Sequence, residues 1–351
     1  MPANTTYAKL QSDGYLKANN GNLLAVTGTI LTKGAGASWQ AFDNGVSVSD
    51  LNQVVPDGAV ITCKNGSDDT EPVTSSNSKV IPWTWQIAGG NKFNFYNSTL
   101  HVLTQIGKDG EGATQTGDIS GQTVVENEYI KMQPQIMKDI SAETKGKEKV
   151  VCLTYDDGPS PDWTQKILKV LQQNKVKATF FEIGNVVKNY PSVSKDVVTA
   201  GMELCSHSYN HSPSHYLNKL SEAEAKKMAE EGVAAIKDAT GVTTTYLRPP
   251  GGNLNATAIK GIGSIITAYI GWNIDTDDWQ RPGANKIYQT ALNGVKKIGS
   301  GSVILMHDGG GDRSETLAAT KKLIPKLKKM GYSFITIDQL IKIRKSELGL
   351  K

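Results

Sequence analysis

From residue 150 onward the chain repeats one pattern, a short apolar strand followed by an amphipathic helix, and this repeat restricts the fold most. Seven apolar segments predict buried strands, at Val150–Tyr155, Ala178–Ile183, Glu203–Ser206, Thr245–Leu247, Ala268–Trp272, Ser302–Met306 and Tyr332–Ile337. Amphipathic helices are predicted between several of them, at Thr164–Gln173, Ser221–Ala239, Lys286–Ile298 and Glu315–Lys329. About seven such units predict an α/β fold whose parallel sheet closes, or nearly closes, into a barrel.

Residues 1–140 have another composition and predict a smaller, mainly β domain ahead of the barrel. Glycine, asparagine, serine and threonine are frequent there, and Asp-Gly and Asn-Gly turn pairs separate short apolar runs. Residues 141–148 are polar and rich in lysine and glutamate, so we interpret them as a linker before a second domain at 149–351. The role of the first domain stays open.

Two aromatic pairs in the first domain are spaced so that each pair lies on one face of a strand. They are Trp83 with Trp85 and Phe93 with Phe95. An exposed aromatic face could stack on sugar rings, but a buried face is more common, and we favour the buried interpretation.

Composition places the chain among globular proteins and excludes several classes. Its 351 residues are 38% hydrophobic and 21% charged, as in a folded protein of two domains. The net charge of +4 divides into −5 for residues 1–144 and +9 for residues 145–351, which indicates two modules. No basic run is interleaved with aromatic residues, so nucleic acid is not expected as a partner. No apolar run approaches the roughly 20 residues that span a bilayer.

The beginning of the chain and its cysteines bear on the compartment. The first residues lack the charged and apolar stretches of a secretory signal, so we expect either a cytosolic protein or a chain that starts after a removed export segment. Cys63, Cys152 and Cys205 are too few and too scattered for a disulfide framework or a cysteine zinc site. They do not decide the compartment.

Polar residues directly follow the first and third predicted strands. Asp156 and Asp157 come after the first strand, where two adjacent carboxylates cannot both point into a core. Alone they are equally consistent with a turn that closes the strand. His207 and His211 follow the third strand at a spacing that puts both imidazoles on one face of a helical turn. We interpret the histidine pair as a metal site.

Two further polar positions follow the fourth and sixth strands. Arg248 stands at a strand end before two prolines and two glycines, and its guanidinium suits a bidentate contact with a carboxylate. A rigid loop with a surface arginine explains this segment equally well. His307 ends the sixth strand and is a candidate acid or base, although a single histidine there is more often structural.

The four positions together favour a catalytic site. The carboxyl ends of parallel barrel strands meet at one edge, where a carboxylate and two imidazoles make a three-ligand metal site with open positions for water and substrate. The second carboxylate would accept a proton from water, the arginine would keep that carboxylate ionised, and His307 would donate to a leaving group. The set predicts metal-assisted hydrolysis.

Five ordered segments are similar to the motifs of a known family. They are Thr154–Gly158, His207–His211, Arg248–Pro250, Asp275–Trp279 and Leu305–His307. They resemble the motifs of the NodB-homology polysaccharide deacetylases, carbohydrate esterase family 4, over about residues 149–341. The resemblance implies a distorted (β/α)7-type barrel that removes acetyl groups from N-acetylhexosamine polymers or from acetylated xylan.

The resemblance also implies roles for individual residues. It makes Asp156 the catalytic base, held by Arg248. It makes His307 the general acid, which Asp275 orients or tunes. The metal ligands that it implies are Asp157, His207 and His211. The substrate-binding residues that it implies are Gly251, Trp279, Leu305 and Tyr155.

One departure from the family pattern concerns Gly251, which stands where the third motif commonly has tyrosine. The backbone N–H that would bind a developing oxyanion survives this change. The aromatic side chain beside the acetyl group does not. Amide hydrolysis is therefore still expected, while the sugar and the geometry around its acetyl group stay open.

Motifs and resemblance lead to one expected function and several alternatives. We expect a hydrolase of carbon–nitrogen bonds that deacetylates peptidoglycan N-acetylglucosamine with one divalent ion. Zinc is the first choice for that ion, with cobalt, nickel and manganese as alternatives. The alternatives are a chitooligosaccharide or acetylxylan deacetylase, or a non-catalytic barrel that binds carbohydrate. The expected partners are acetylated polysaccharides such as peptidoglycan or chitin oligomers. We expect a secreted or wall-associated monomer.

Overall fold

The computed structural model describes residues 4–13, 22–33, 40–64, 68–88 and 93–350. The strands of these residues, in chain order β1 to β20, are Leu23–Leu24, Ile30–Thr32, Gln40–Asp43, Val46–Ser47, Ile61–Lys64, Asp69–Thr70, Val73–Ile81, Trp85–Ile87, Leu100–Gln105, Gly110–Gly117, Thr123–Ile130, Gln135–Ile140, Lys149–Gly158, Thr179–Glu182, Glu203–Ser206, Tyr246–Leu247, Ala268–Ile270, Ile274–Asp275, Ser302–His307 and Tyr332–Phe334. The α-helices, α1 to α9, are Tyr7–Ser12, Thr164–Gln173, Gly184–Asn189, Pro191–Thr199, Glu222–Thr240, Ala256–Ile262, Ala284–Ile298, Ser314–Lys329 and Ile337–Glu347.

The chain divides into two compact units that do not follow a single cut in the sequence. The β unit comprises residues 1–83 and 108–133, and the barrel unit comprises residues 84–107 and 134–351. In the β unit, the described strands form three small sheets, with the orders β2-β1-β6, β11-β10-β7 and β4-β3-β5. A small apolar cluster there contains Tyr7, Leu10 and Val55.

The barrel unit contains one curled sheet with the strand order β18-β19-β13-β14-β15-β16-β17-β9-β12-β8, and β20 pairs with β13. Its strands from β18 to β17 are parallel to their neighbours, whereas β9 runs antiparallel to β17. Among the described residues no pairing joins β18 to β8, so the sheet stays open at that seam. The seven predicted strands are confirmed as β13 to β17, β19 and β20, and β18 is an addition.

The helices cover the outer face of this sheet and follow the sequence signals closely. The predicted helices appear as α2, α5, α7 and α8. A capping box formed by Ser221 and Glu224 begins α5, and Gly241, with φ of 77°, ends it. No helix of the described residues is long and apolar enough to cross a membrane.

The predicted domain boundary at residue 140 differs from the structural one. Strand β9 pairs with β17 and β12 pairs with β9, so segments from before residue 140 complete the barrel sheet. Leu100 and Ile140 belong to the same buried cluster as Val150 and Cys152. Local composition predicts a strand but does not say which sheet the strand joins. The predicted boundary at residue 140 therefore assigned β9 and β12 to the first domain.

The predicted linker at 141–148 is packed rather than free. Ala142 is fully buried, and the N–H of Thr144 donates to the carbonyl of Ser300 at 3.2 Å. The backbone N–H of Lys145 donates to the carboxylate of Glu347 at 2.9 Å. The segment therefore continues the barrel unit.

We expect a chain that begins at Lys145 to lose its cooperative fold, because it lacks β8, β9 and β12. Leu100, Val102 and Ile140 are each at most 2% exposed. Truncating one such side chain typically costs about 2–5 kcal/mol. Losing all three is comparable to a usual free energy of unfolding of about 5–15 kcal/mol. Thermal unfolding followed by circular dichroism measures the loss.

The matched control removes residues 1–83 and joins Gly107 to Pro134 through Asn-Gly, so that β9 and β12 close as a hairpin. This variant keeps every strand of the barrel unit and should unfold cooperatively. If the chain starting at Lys145 also unfolds cooperatively near the Tm of the full-length protein, β8, β9 and β12 are not part of the barrel core.

Candidate active site

Three donor atoms from two strand ends converge on one point. The Oδ1 atom of Asp157 lies 3.5 Å from Nε2 of His207 and 3.5 Å from Nε2 of His211. Asp157 is the penultimate residue of β13, and His207 directly follows β15, which is separated from β13 only by β14. The structure thus brings together the three residues that the resemblance implied as metal ligands.

The backbone conformation between His207 and His211 differs from the predicted one. The residues between His207 and His211 form a loop, not the predicted helical turn. Ser208 has φ of 66° and Asp157 has φ of 71°, both in the left-handed region that non-glycine residues seldom occupy. Such strain is common where side chains must be aimed at a site.

The three donors fit a divalent ion. Separations of 3.5 Å are those of ligand atoms held about 2.0–2.2 Å from one tetrahedral ion. Among the described residues, the buried Oδ1 of Asp157 has no hydrogen-bond partner. Nδ1 of His207 lies 2.8 Å from the carbonyl of Arg248, to which it donates, so Nε2 keeps its lone pair for an ion. Burial lowers the pKa of His207 to about 3, which keeps its imidazole neutral.

The predicted contact between Arg248 and Asp156 is present and fully buried. Nη1 of Arg248 donates to Oδ1 of Asp156 at 2.7 Å and to Oγ1 of Thr154 at 2.8 Å. The guanidinium also donates to the carbonyls of Ile270 and Gly271. With these partners the guanidinium has one fixed position, and it fixes the carboxylate of Asp156 in turn.

The ionisation of Asp156 depends on its burial and on the two positive charges that we predict to hold its pKa low, Arg248 and the adjacent cation. Burial raises the pKa of Asp156, and the guanidinium of Arg248 and the charge of His307 oppose this without cancelling it. The protein groups alone therefore leave this carboxyl group more basic than an exposed aspartate. A cation beside Asp156 would lower the pKa of this carboxyl group.

His307 is oriented by Asp278, not by Asp275 as the resemblance implied. Nδ1 of His307 donates to Oδ1 of Asp278 at 2.7 Å. The other oxygen of Asp278 accepts from the backbone N–H of His307 at 2.8 Å and from the hydroxyl of Thr316 at 2.6 Å. Asp275 is exposed and accepts from the N–H of Asp277. The 3₁₀ turn at Asp278–Gln280 turns the later aspartate inward.

The charge of Asp278 decides the ionisation of His307. Burial lowers the pKa of this imidazole, but the hydrogen bond and the charge of Asp278 outweigh burial and raise the pKa to about 9. The same contact lowers the pKa of Asp278, although burial opposes this. His307 is therefore protonated at neutral pH, as a proton donor must be.

One cavity of about 500 Å³ is lined by Asp156, His307 and the three donor residues, while Arg248 and Asp278 lie buried behind Asp156 and His307. The predicted substrate-binding residues that line it are Gly251, Trp279 and Leu305. Tyr155 does not line it: its ring is fully buried and stacks on Phe180, with centroids 5.1 Å apart. Successive side chains of a strand point to opposite faces, so Tyr155 faces the helices when Asp156 faces the cavity.

The cavity also contains residues that sequence reasoning missed. They are Tyr216, Trp272 and Arg313. Arg313 is 4% exposed, and its Nε donates to the carbonyl of Gly309 at 2.6 Å. It stands six residues after His307, in a segment whose glycine-rich loop gives no periodic signal. Tyr216 and Trp272 lie outside the five motifs. Their aromatic character is the one signal in the sequence by which they could have been found.

A curled α/β sheet with a buried carboxylate, a protonated imidazole and three convergent donors at one edge is an arrangement typical of a hydrolase site. The sequence model for polysaccharide deacetylase matches residues 143–265. A peptidoglycan-N-acetylglucosamine deacetylase of Bacillus cereus is 34% identical over 207 residues, which are 58% of this chain and 94% of the relative. The chain belongs to the polysaccharide deacetylase family, whose members hydrolyse the N-acetyl bonds of polysaccharides.

Two further comparisons agree with this family. A chitooligosaccharide deacetylase of Bradyrhizobium is 32% identical over 202 residues, which are 54% of this chain and 90% of the relative. The solved structure of a peptidoglycan deacetylase from Bacillus subtilis superposes with a TM-score of 0.52 at 31% identity, covering 58% of this chain and 95% of that one.

Proposed function

We propose that the chain is a metal-dependent deacetylase of peptidoglycan N-acetylglucosamine, active at the bacterial wall as a secreted monomer. The observation that carries the proposal is the placement of Asp156 and His307 on paired positions of β13 and β19, in the cavity that contains the three donors. The choice of peptidoglycan rests on the Bacillus cereus relative, which the chain covers almost completely.

The roles of the side chains follow from their contacts. Asp157, His207 and His211 would hold the ion, zinc by the chemistry of the donor set. A divalent ion there supplies polarisation of the acetyl carbonyl and makes water at the site more acidic. Asp156, fixed by Arg248, accepts the proton of the attacking water.

The leaving group is the second requirement of amide hydrolysis. An amine leaves only if its nitrogen is protonated, and His307 carries the proton because Asp278 raises its pKa to about 9. With Nδ1 bonded to Asp278, Nε2 is the nitrogen that donates. The N–H of Gly251, in a loop that lines the cavity, is the proposed oxyanion donor.

The proposal is tested by incubating purified cell wall and chitin oligomers with the enzyme, with and without chelator. The expected result is acetate release from the wall that the chelator abolishes, and mass spectrometry should locate the loss of one acetyl group on the glucosamine residue. Faster release from chitin oligomers or acetylxylan would assign the chain to those substrates. Metal binding without acetate release from any polymer would favour the non-catalytic barrel.

We expect the double variant His207→Ala/His211→Ala to lose its divalent ion, because two of the three donors are removed. The measurement is elemental analysis of the purified protein, which should fall from one ion per chain to none. His215→Ala is the matched control, since His215 is exposed and its ring bonds to Ser214. An unchanged metal content in the double variant would contradict the ligand assignment.

A further inference from the structure

A second cavity of the barrel unit adjoins the catalytic one. Its volume is about 280 Å³, and its lining includes Tyr96, Asn97, Ser98, Trp272 and Asn273. Trp272 lines both cavities, so the two share a wall. Tyr96, Asn97 and Ser98 come from the segment 84–107, which lies outside the residues that match the family model.

Stacking and hydrogen bonds hold the turn that contains Tyr96. Phe95 is 4% exposed and stacks on His101 with ring centroids 5.3 Å apart. Nε2 of His101 lies 2.9 Å from the carbonyl of Phe95, and its Nδ1 lies 2.6 Å from the carboxylate of Asp139. The side chain of Asn94 accepts from the N–H of Tyr96 at 3.0 Å and caps the turn. These contacts fix the backbone of the turn at Tyr96.

The ring of Tyr96 is nevertheless exposed, and it reaches the loop of the catalytic cavity. Its accessible fraction is 71%, which is high for a tyrosine on an ordered turn. Its hydroxyl donates to the carbonyl of Gly251 at 3.4 Å. A Cβ atom at Gly252 would lie 2.6 Å from that hydroxyl and 3.3 Å from Trp272, so a side chain there would displace the ring of Tyr96.

We propose that this second cavity is a sugar-binding subsite, in which Tyr96 and Trp272 hold the sugar that neighbours the one being deacetylated. The aromatic rings offer an apolar surface to the C–H face of a pyranose ring. Asn97 and Ser98 offer hydrogen-bonding groups for its hydroxyls. This inference rests on the proposed function, because it assigns the binding of that same polymer.

The test compares wild type with Tyr96→Ala on N-acetylglucosamine oligomers from dimer to hexamer and on an aryl acetate. The expected result is that the ratio of kcat/KM for the hexamer to that for the aryl acetate falls on the order of tenfold, mostly through KM. Tyr96→Phe keeps the ring and should keep most of the ratio. Tyr129→Ala is the matched control, because Tyr129 is an exposed tyrosine of the β unit.

Binding of the hexamer to wild type and to Tyr96→Ala by calorimetry separates this inference from the proposed function. If wild type releases no acetate from any oligomer, the proposed function fails, and weaker hexamer binding by Tyr96→Ala still supports the subsite. Equal affinities of the two proteins would overturn the subsite whatever the activity. An equal loss on hexamer and aryl acetate would also overturn it, because the damage would then lie in the catalytic cavity.

Discussion

Replacing His307 with asparagine is expected to lower kcat for an N-acetyl substrate by about 10² to 10⁴, the usual contribution of a positioned acid. The variant removes the proton that Nε2 donates and keeps a polar side chain of similar reach beside Asp278. It should retain its metal and its fold, because His307 is not among the three donor residues. Steady-state kinetics measure the loss in kcat, and elemental analysis of the same preparation measures the metal content.

The loss should depend on the leaving group. An activated aryl ester releases a phenolate that needs no proton, so the loss in kcat of His307→Asn should be much smaller for it than for an amide. Equal losses on both substrates would show that His307 positions the substrate and does not donate a proton.

Replacing Asp278 with asparagine is expected to move the alkaline limit of activity. In the proposed mechanism activity requires protonated His307, so kcat/KM should fall as the pH rises through the pKa of this imidazole, which is about 9 in the wild-type protein. Without the carboxylate, burial acts unopposed by Asp278, and the pKa should fall toward the ordinary histidine value of about 6.5 or lower. At pH 8 the protonated fraction then falls by about 30-fold.

Asp275→Asn is the matched control for this experiment, since Asp275 lines the same cavity but accepts a hydrogen bond from the backbone N–H of Asp277 and not from His307. It should move the alkaline limit of kcat/KM far less than Asp278→Asn does. If Asp275→Asn moves the limit and Asp278→Asn does not, the orientation of His307 has been assigned to the wrong aspartate.

The sequence predicted the barrel and most of its site because both depend on local signals. Buried strands are short apolar runs, and the residue directly after each run lies at the catalytic edge. This logic alone singled out Asp156, His207 and Arg248. The structure places Asp156 and His207 in the cavity lining, and it places Arg248 in contact with Asp156. It also predicted α5, because the capping box at Ser221 and the terminal Gly241 are local.

The errors arose where the outcome depends on distant contacts. Asp275 and Asp278 lie three residues apart in one loop, and only the position of His307 on β19 decides which of them it contacts. Tyr155 follows Thr154 in the first motif, but the alternation of β13 turns its ring into the core. The sequence around strand β9 is typical of a β-rich domain, but its partner β17 lies far along the chain.

The late partner of β9 has a consequence for how the protein is made. His101 in β9 pairs with Tyr269 in β17, so about 170 residues must be added before this pairing can form. At a synthesis rate of about 5–20 residues per second, the edge of β9 that faces β17 waits roughly 10 to 30 s for its partner, although β12 can pair with the other edge much earlier. During that interval its edge is open to other chains, and slower translation or higher temperature should increase aggregation of the nascent protein before it harms the finished enzyme.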